Sequence, residues 1–204
     1  MRRRSPAGIW NLAEMRREAR RIPRPLFDLI EGGAGDEVTL RENWAAWDRI
    51  ALRPRALADV STIDTSTTIF GHGHAMPVVL APVAYAIRLD PAGELAFARA
   101  ARDAGVAYTV HQAPSYPLEA LAGVLGSAAP GQLWSQLYMP RDRDVALQIL
   151  DRTRRAGCTV LVVTVDSPVT PGTRQRDFRN RLEPIQWQSE SGGSAREPAW
   201  LLNH

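Results

Sequence analysis

The chain has 204 residues, 45% of them hydrophobic and 23% charged, with a formal net charge of +3. That is an ordinary globular composition with enough apolar residues for a core, and the arginines are too spread out to form a nucleic-acid stripe. All 25 basic residues are arginine, which fits translation from GC-rich DNA and excludes, for this chain, Schiff-base chemistry and a P-loop lysine.

The opening MRRRSPAGIWNLAEM is basic but carries no apolar core, so it does not read as a signal peptide. Asn11 is expected to cap a helix through LAEMRREARRI, with Glu14 placed as in a capping box. Pro23 and Pro25 interrupt and restart the helix, and PLFDLIEGG ends at its glycines. Asp36 is expected to cap a third helix, DEVTLRENWAAWDRI, in which Leu40, Trp44, Trp47 and Ile50 share a face. ALRPRAL and TTIF read as strands, and Gly71-His72-Gly73-His74 as a turn before MPVVLAP. The two histidines lack a neighbouring Cys or carboxylate, so a turn is preferred to a metal site. Gly71-x-Gly73 lacks the third glycine of a dinucleotide loop, and Gly32–Gly35 lacks the preceding strand of a phosphate loop. The uncharged stretch Thr65–Ile87 is broken by Gly71, Gly73, Pro77 and Pro82, which argues against a membrane span.

From Pro77 the pattern becomes periodic. PVVLAP, VAYTVHQ, QLWSQLYM and TVLVVTVD read as strands, separated by the helices PAGELAFARAARDAG, PLEALAGVLG and DRDVALQILDRTRRAG. The strand ends Pro82, Gln112, Tyr138 and Asp166 recur at about 26 to 30 residues. Such a series means a parallel sheet, either an open doubly wound one or part of a (β/α)8 barrel. In both, ligands belong at the carboxyl ends of the strands.

Those ends carry the chemistry. Ala81, Pro82, Val83 and Ala84 are small and let backbone approach a flat ligand. The second strand ends at His111 and Gln112. Gln136 and Tyr138 alternate and so face one side, as do Thr164 and Asp166, and a basic run with Arg174 and Arg176 follows. An amide and a hydroxyl can read the edge of a heteroaromatic ring, and an arginine can clamp a carboxylate. The single cysteine, Cys158, opens an apolar run; it reads as a buried small side chain and suits a reducing, cytoplasmic compartment.

In order and content these motifs resemble the FMN-dependent 2-hydroxy-acid dehydrogenase and oxidase family, which includes glycolate oxidase, lactate dehydrogenase and mandelate dehydrogenase. The matching pieces are GAGDEVTLREN, RPRAL, MPVVLAP, DPAGELAFARAA, QLY, TVDSPV and RQRDFRNR, running in family order to about residue 182. The resemblance implies an α/β fold, a partial TIM (β/α)8 barrel of about four β/α units after an N-terminal helical segment. It divides the chain into N-terminal helices and hairpin (1–75) and the first half of an FMN-binding barrel (76–204), ending in the loop after strand four. It further implies that Ala81–Ala84 line the flavin, and that Gln136 and Thr164 hydrogen-bond the isoalloxazine. Tyr138 and Arg174 would bind the substrate, and Asp166 would orient a catalytic histidine. No metal is implied.

Departures from the family pattern are equally specific. Leu29 stands where the family has a substrate-binding tyrosine, and His111 where it has a flavin-contacting serine or threonine. The loop after strand four has an extra residue near Pro171. The family's strand-five lysine, its Ser-Asn-His-Gly-x-Arg-Gln segment with the catalytic base, and its glycine-rich phosphate site do not occur in these 204 residues. The expectation is therefore the N-terminal half of an enzyme that oxidises a small L-2-hydroxy acid to a 2-oxo acid, inactive alone. The alternatives are a non-catalytic half-barrel, serving as a binding or complementing subunit, and an open doubly wound binder. Expected partners are the substrate and either a complementing C-terminal half or further copies in a homo-oligomer. Membrane-associated relatives carry their anchor after strand four, so a peripheral membrane location stays compatible.

Overall fold

A computed structural model describes residues 8–84, 86–126 and 131–165, apart from the Leu29 side chain. These residues fall into two compact units divided between Pro54 and Arg55.

The first unit holds three helices, α1 (Leu12–Ala19), α2 (Arg24–Glu31) and α3 (Val38–Asp48). Asn11 caps α1 as expected: its side chain accepts the Glu14 N–H at 2.9 Å, while Glu14 reaches back to the Trp10 N–H at 2.9 Å. Pro23 stands at the N-cap of α2, where its missing N–H costs nothing. Asp36 does not cap α3. Glu37 occupies that position in the left-handed region (φ 58°), and no side chain caps the helix. The Glu37 carboxylate instead accepts the Gly33 N–H at 3.2 Å, and Arg41 donates to the Asp36 carbonyl at 2.7 Å. Arg16 lies over the Trp44 ring at 5.2 Å and pairs with Glu31, drawing the three helices together.

The strand expected in ALRPRAL, across the boundary between the units, does not form; residues 51–66 are neither helix nor strand. Pro54 supplies no N–H to a ladder, and Leu52 and Leu57 are fully exposed, so neither pairing nor burial favours extension there. A hairpin follows, with β1 (Thr67–Ile69) antiparallel to β2 (His72–His74). Its turn is Phe70-Gly71, both at positive φ (51° and 80°), a geometry that matches the twist of paired strands. The histidines predicted in the turn therefore sit in β2. Among the described residues no three His, Cys, Asp or Glu side chains gather as a metal site.

The sheet comprises β3 (Val79–Leu80), β4 (Ala107–Val110), β5 (Leu133–Tyr138) and β6 (Val160–Thr164), all parallel and in chain order. β3 is shorter than its apolar run because Pro77 and Pro82 flank it. The crossovers are α4 (Ala86–Leu89) with α5 (Gly93–Ala104), then α6 (Leu118–Leu125), then α7 (Arg143–Arg155). The short α4 has no capping or periodic signal in sequence. Gly105 ends α5 at φ 65°, and Asp142 caps α7 by accepting the Asp144 N–H at 2.8 Å. Right-handed crossovers between strands in chain order put every helix on one face, which is barrel geometry; a doubly wound sheet reverses direction.

That helix-facing side holds the core. Tyr108, Val110 and Leu133 pack against Ala98 and Ala101 of α5 and Leu118, Leu121 and Leu125 of α6, all nearly inaccessible. Cys158 packs against this cluster, and burial pushes its thiol up to about 12, as a space-filling side chain requires. The register Trp134↔Val160, Gln136↔Val162, Tyr138↔Thr164 puts the even-numbered residues of β5 and β6 on the opposite face. At the amino end of that face Trp134 meets Phe70 (5.6 Å) and His74 (6.4 Å), so the hairpin closes the amino edge of the sheet.

Gly131 is where hairpin and sheet meet. Its φ is +83°, and a Cβ there would lie 2.1 Å from His72 Cγ and 2.4 Å from His72 Cβ. Gly131→Ala is expected to cost about 2 kcal/mol or more in urea unfolding, from strain and collision together. His72→Gly in the same chain should restore the collision part alone.

Candidate active site

Parallel strands deliver their carboxyl ends to one edge, and three side chains meet there. Gln136 is 2% exposed, and its Nε2 donates to the Thr164 hydroxyl at 2.8 Å across the β5–β6 pair. Its Oε1 accepts the Gln112 N–H at 3.0 Å from the end of β4. Three neighbouring strands are thus joined at their ends by one amide. Gln136 then keeps one amide N–H and Thr164 its hydroxyl hydrogen uncommitted to each other. Two donors on one face of adjacent strands suit the acceptor-rich edge of a flat heterocycle. Ala81–Ala84 leave β3 at the same edge, with Pro82, Val83 and Ala84 half-buried, and present little side chain to whatever lies against them.

His111 continues the β4 alternation onto the face of Gln136. Its Nδ1 accepts the Ala113 N–H at 3.1 Å, and its ring stands edge-on to Tyr138 at 6.2 Å. An accepting Nδ1 puts the proton on Nε2, so the neutral ring offers an N–H to the rim. Burial holds this imidazole below its ordinary value of 6.5, against the opposing pulls of the Ala113 contact and of Glu94. At neutral pH it is a hydrogen-bond donor and not a cation. Tyr138 is half-buried, and its backbone N–H donates to Gln112 Oε1 at 2.6 Å.

Two residues escaped the sequence reading. Gln112, expected at the strand end, lies just past β4, and nothing in its type marks it as a clasp. Glu94 is 0% exposed in the first turn of α5 and accepts from Ser115 Oγ at 3.3 Å. Its Oε2 and the Tyr108 hydroxyl are buried without a hydrogen-bond partner among the described residues. A signal existed: Glu94, Ala98 and Ala101 recur at helical spacing, so a carboxylate interrupts the buried stripe. Asp166 and Arg174 lie outside the described residues, as does the Leu29 side chain.

The His111 shift has a testable sign. Its folded value is depressed, so the unfolded chain binds more protons below about 6.5, the ordinary value. Its contribution to stability is complete above that pH and declines as pH falls toward the lowered folded value. Urea unfolding at pH 7.5 and 5.5 should show a smaller loss in His111→Asn than in the wild type.

Comparison with known proteins gives the family. Residues 18–204 match the FMN-dependent dehydrogenase family model. The chain is 43% identical over 178 residues to a 4-hydroxymandelate oxidase of Amycolatopsis orientalis, covering 87% of this chain and 48% of that protein. It is 41% identical to 2-hydroxyacid oxidase 2 of Rattus norvegicus, covering 84% of this chain and 48% of that protein. For an L-lactate oxidase of Nostoc the figures are 40%, 87% and 48%. A crystal structure of mandelate oxidase superposes with a TM-score of 0.76 at 43% identity, covering 86% of this chain and 52% of that one. The chain thus spans about half the length of the relatives it matches, and its four parallel strands with the helices between them form part of a (β/α)8 barrel. By its motifs, its strand order and these matches, the chain belongs to the FMN-dependent dehydrogenase family, whose cofactor is FMN.

Proposed function

We propose that this chain supplies the flavin-facing rim of an enzyme that oxidises a small L-2-hydroxy acid, of lactate, glycolate or mandelate type, to the 2-oxo acid. The observation that carries the reading is the Gln136–Thr164 pair, 2.8 Å apart on adjacent strands at the carboxyl edge, in a chain of this family. The pair's two uncommitted hydrogens fit the carbonyl and ring-nitrogen acceptors of an isoalloxazine, and Ala81–Ala84 leave room beside it. Residues 76–204 act in this reading as the first half of the barrel. FMN bound at this rim would supply the two-electron acceptor that the oxidation needs.

The protein's own residues have distinct tasks. Gln136 and Thr164 hold the flavin edge, and His111 adds a neutral N–H donor where the resemblance places a hydroxyl. Tyr138, on the same face, contacts the substrate, and Arg174 pairs with its carboxylate so that Cα faces the ring. Asp166 orients a histidine base that lies in the other half of the barrel. That half is the partner we propose in preference to a second copy. β6 supports it: Leu161 and Val163, on its helix-facing side, are 37% and 44% exposed, a surface that a further β/α unit would bury. The lone Cys158 is consistent with a cytoplasmic location, with or without peripheral membrane association; no described helix is long and apolar enough to cross a membrane.

The test is complementation. The chain is co-expressed with the C-terminal half of the Amycolatopsis orientalis oxidase, and the complex is mixed anaerobically with L-lactate, glycolate or L-mandelate. Loss of the oxidised flavin absorption with at least one acid is expected. A flavin-loaded complex that none of the three reduces, or no complex at all, contradicts the reading. Gln136→Leu should weaken FMN binding roughly tenfold, because a buried donor pair is lost and Thr164 is left without its partner.

A further inference from the structure

The rim contains one residue that touches two of the proposed ligand-binding groups and has no assigned role. Gln112 follows the end of β4. Its backbone N–H donates to Gln136 Oε1 at 3.0 Å, and its side-chain Oε1 accepts the Tyr138 N–H at 2.6 Å. Both contacts cross from β4 to β5 just beyond the regular ladder, which pairs Val110 with Ser135 as its last register. The side chain thereby extends the sheet where the backbone can no longer do so.

The consequences follow from donor counting. The Thr164 hydroxyl could serve either end of the Gln136 amide, but the Gln112 N–H can only donate, so a flip would lose that bond and set NH2 against N–H. The Gln136 NH2 is therefore presented in a single orientation. Tyr138 is the last residue of β5, and its N–H lies beyond the β4–β5 ladder. Fixing that N–H fixes the backbone from which the phenol projects. The residues on either side of Gln112 are themselves clasped, because the Ala113 N–H donates to His111 Nδ1 at 3.1 Å. Three consecutive residues thus hold the rim from the β4 side.

We propose that Gln112 is a positioning residue that sets the Gln136 amide and the Tyr138 backbone as one rigid frame for flavin and substrate. This rests on reading the rim as the flavin site. It assigns to Gln112 no contact with either ligand. Its side-chain oxygen is the part a substitution removes, since every residue keeps the backbone N–H that holds Gln136; without that oxygen the segment carrying the N–H loosens, so an acceptor of the same reach should replace it and an apolar isostere should not.

The experiment compares the 204-residue chain with Gln112→Leu and Gln112→Glu by amide hydrogen exchange and by the NMR signals of the Gln136 side-chain NH2. In Gln112→Leu the Tyr138 amide should exchange about tenfold faster, the cost of one net hydrogen bond. The Gln136 NH2 signals should shift, while Val110 and Leu137 stay protected and show the fold intact. Gln112→Glu keeps the acceptor and should restore both signatures. FMN affinity, read by flavin fluorescence quenching, should fall several-fold in Gln112→Leu and recover in Gln112→Glu. Unchanged Tyr138 exchange in Gln112→Leu overturns the proposal whatever FMN does. Loss of Val110 or Leu137 protection in both variants also overturns it, because the role is then general to the fold. If the wild type fails to bind FMN while the exchange pattern holds, the flavin reading falls and the clasp stands.

Discussion

Parallel pairing in chain order is the constraint on which the site depends. It sends the carboxyl ends of β3, β4, β5 and β6 to one edge and every crossover helix to one face. The faces then divide their work. Tyr108, Val110 and Leu133 look toward the helices and build the core. Trp134, Gln136 and Tyr138 look the other way, with Val160, Val162 and Thr164 beside them in register. One strand, β5, thus supplies core residues and site residues in alternation, and a slip of one residue would bury the amide in the core and expose leucine at the rim.

Buried polar groups are tolerable at such an edge only when each is satisfied. Gln136 commits its oxygen to Gln112 and one N–H to Thr164, one neighbour on either side, and keeps its second N–H for a ligand. The same pairing makes the amide rigid, and rigidity is what a site gains from a group that must meet a ligand in one orientation. His111 is held by a different route: its Nδ1 accepts the Ala113 N–H, and burial keeps the imidazole below its ordinary value. The amino edge does the opposite job. There the hairpin lays Phe70 and His74 on Trp134, with Gly131 close against His72.

Much of this was legible in the residues because local and global signals agree. Asn11 and Asp142 have the side chains that caps require, Gly105 allows the left-handed stop, and the apolar runs between such stops have strand length. The alternation of Gln136 with Tyr138 placed both on one face before any coordinates. What failed had competing physics. ALRPRAL has strand-like residues but a proline and no partner to pair with. The hairpin turn is one step earlier than the glycine pattern suggests, because Phe70 adopts a positive φ that its side chain does not favour. Asp36 lost the cap to Glu37 through a backbone conformation that composition does not encode. Gln112 was unreadable for another reason: its role depends on a neighbour, Tyr138, on the next strand.

The central claim is that the carboxyl edge, and not the amino edge, meets the flavin. Backbone NMR shifts on adding FMN to the 204-residue chain test it most directly. The account predicts that changes concentrate at Val83, Ala84, His111, Ala113, Gln136, Tyr138 and Thr164, with Ala107, Leu133 and Val160 unmoved. Changes centred on Trp134 and the Thr67–His74 hairpin, or none anywhere, would contradict it.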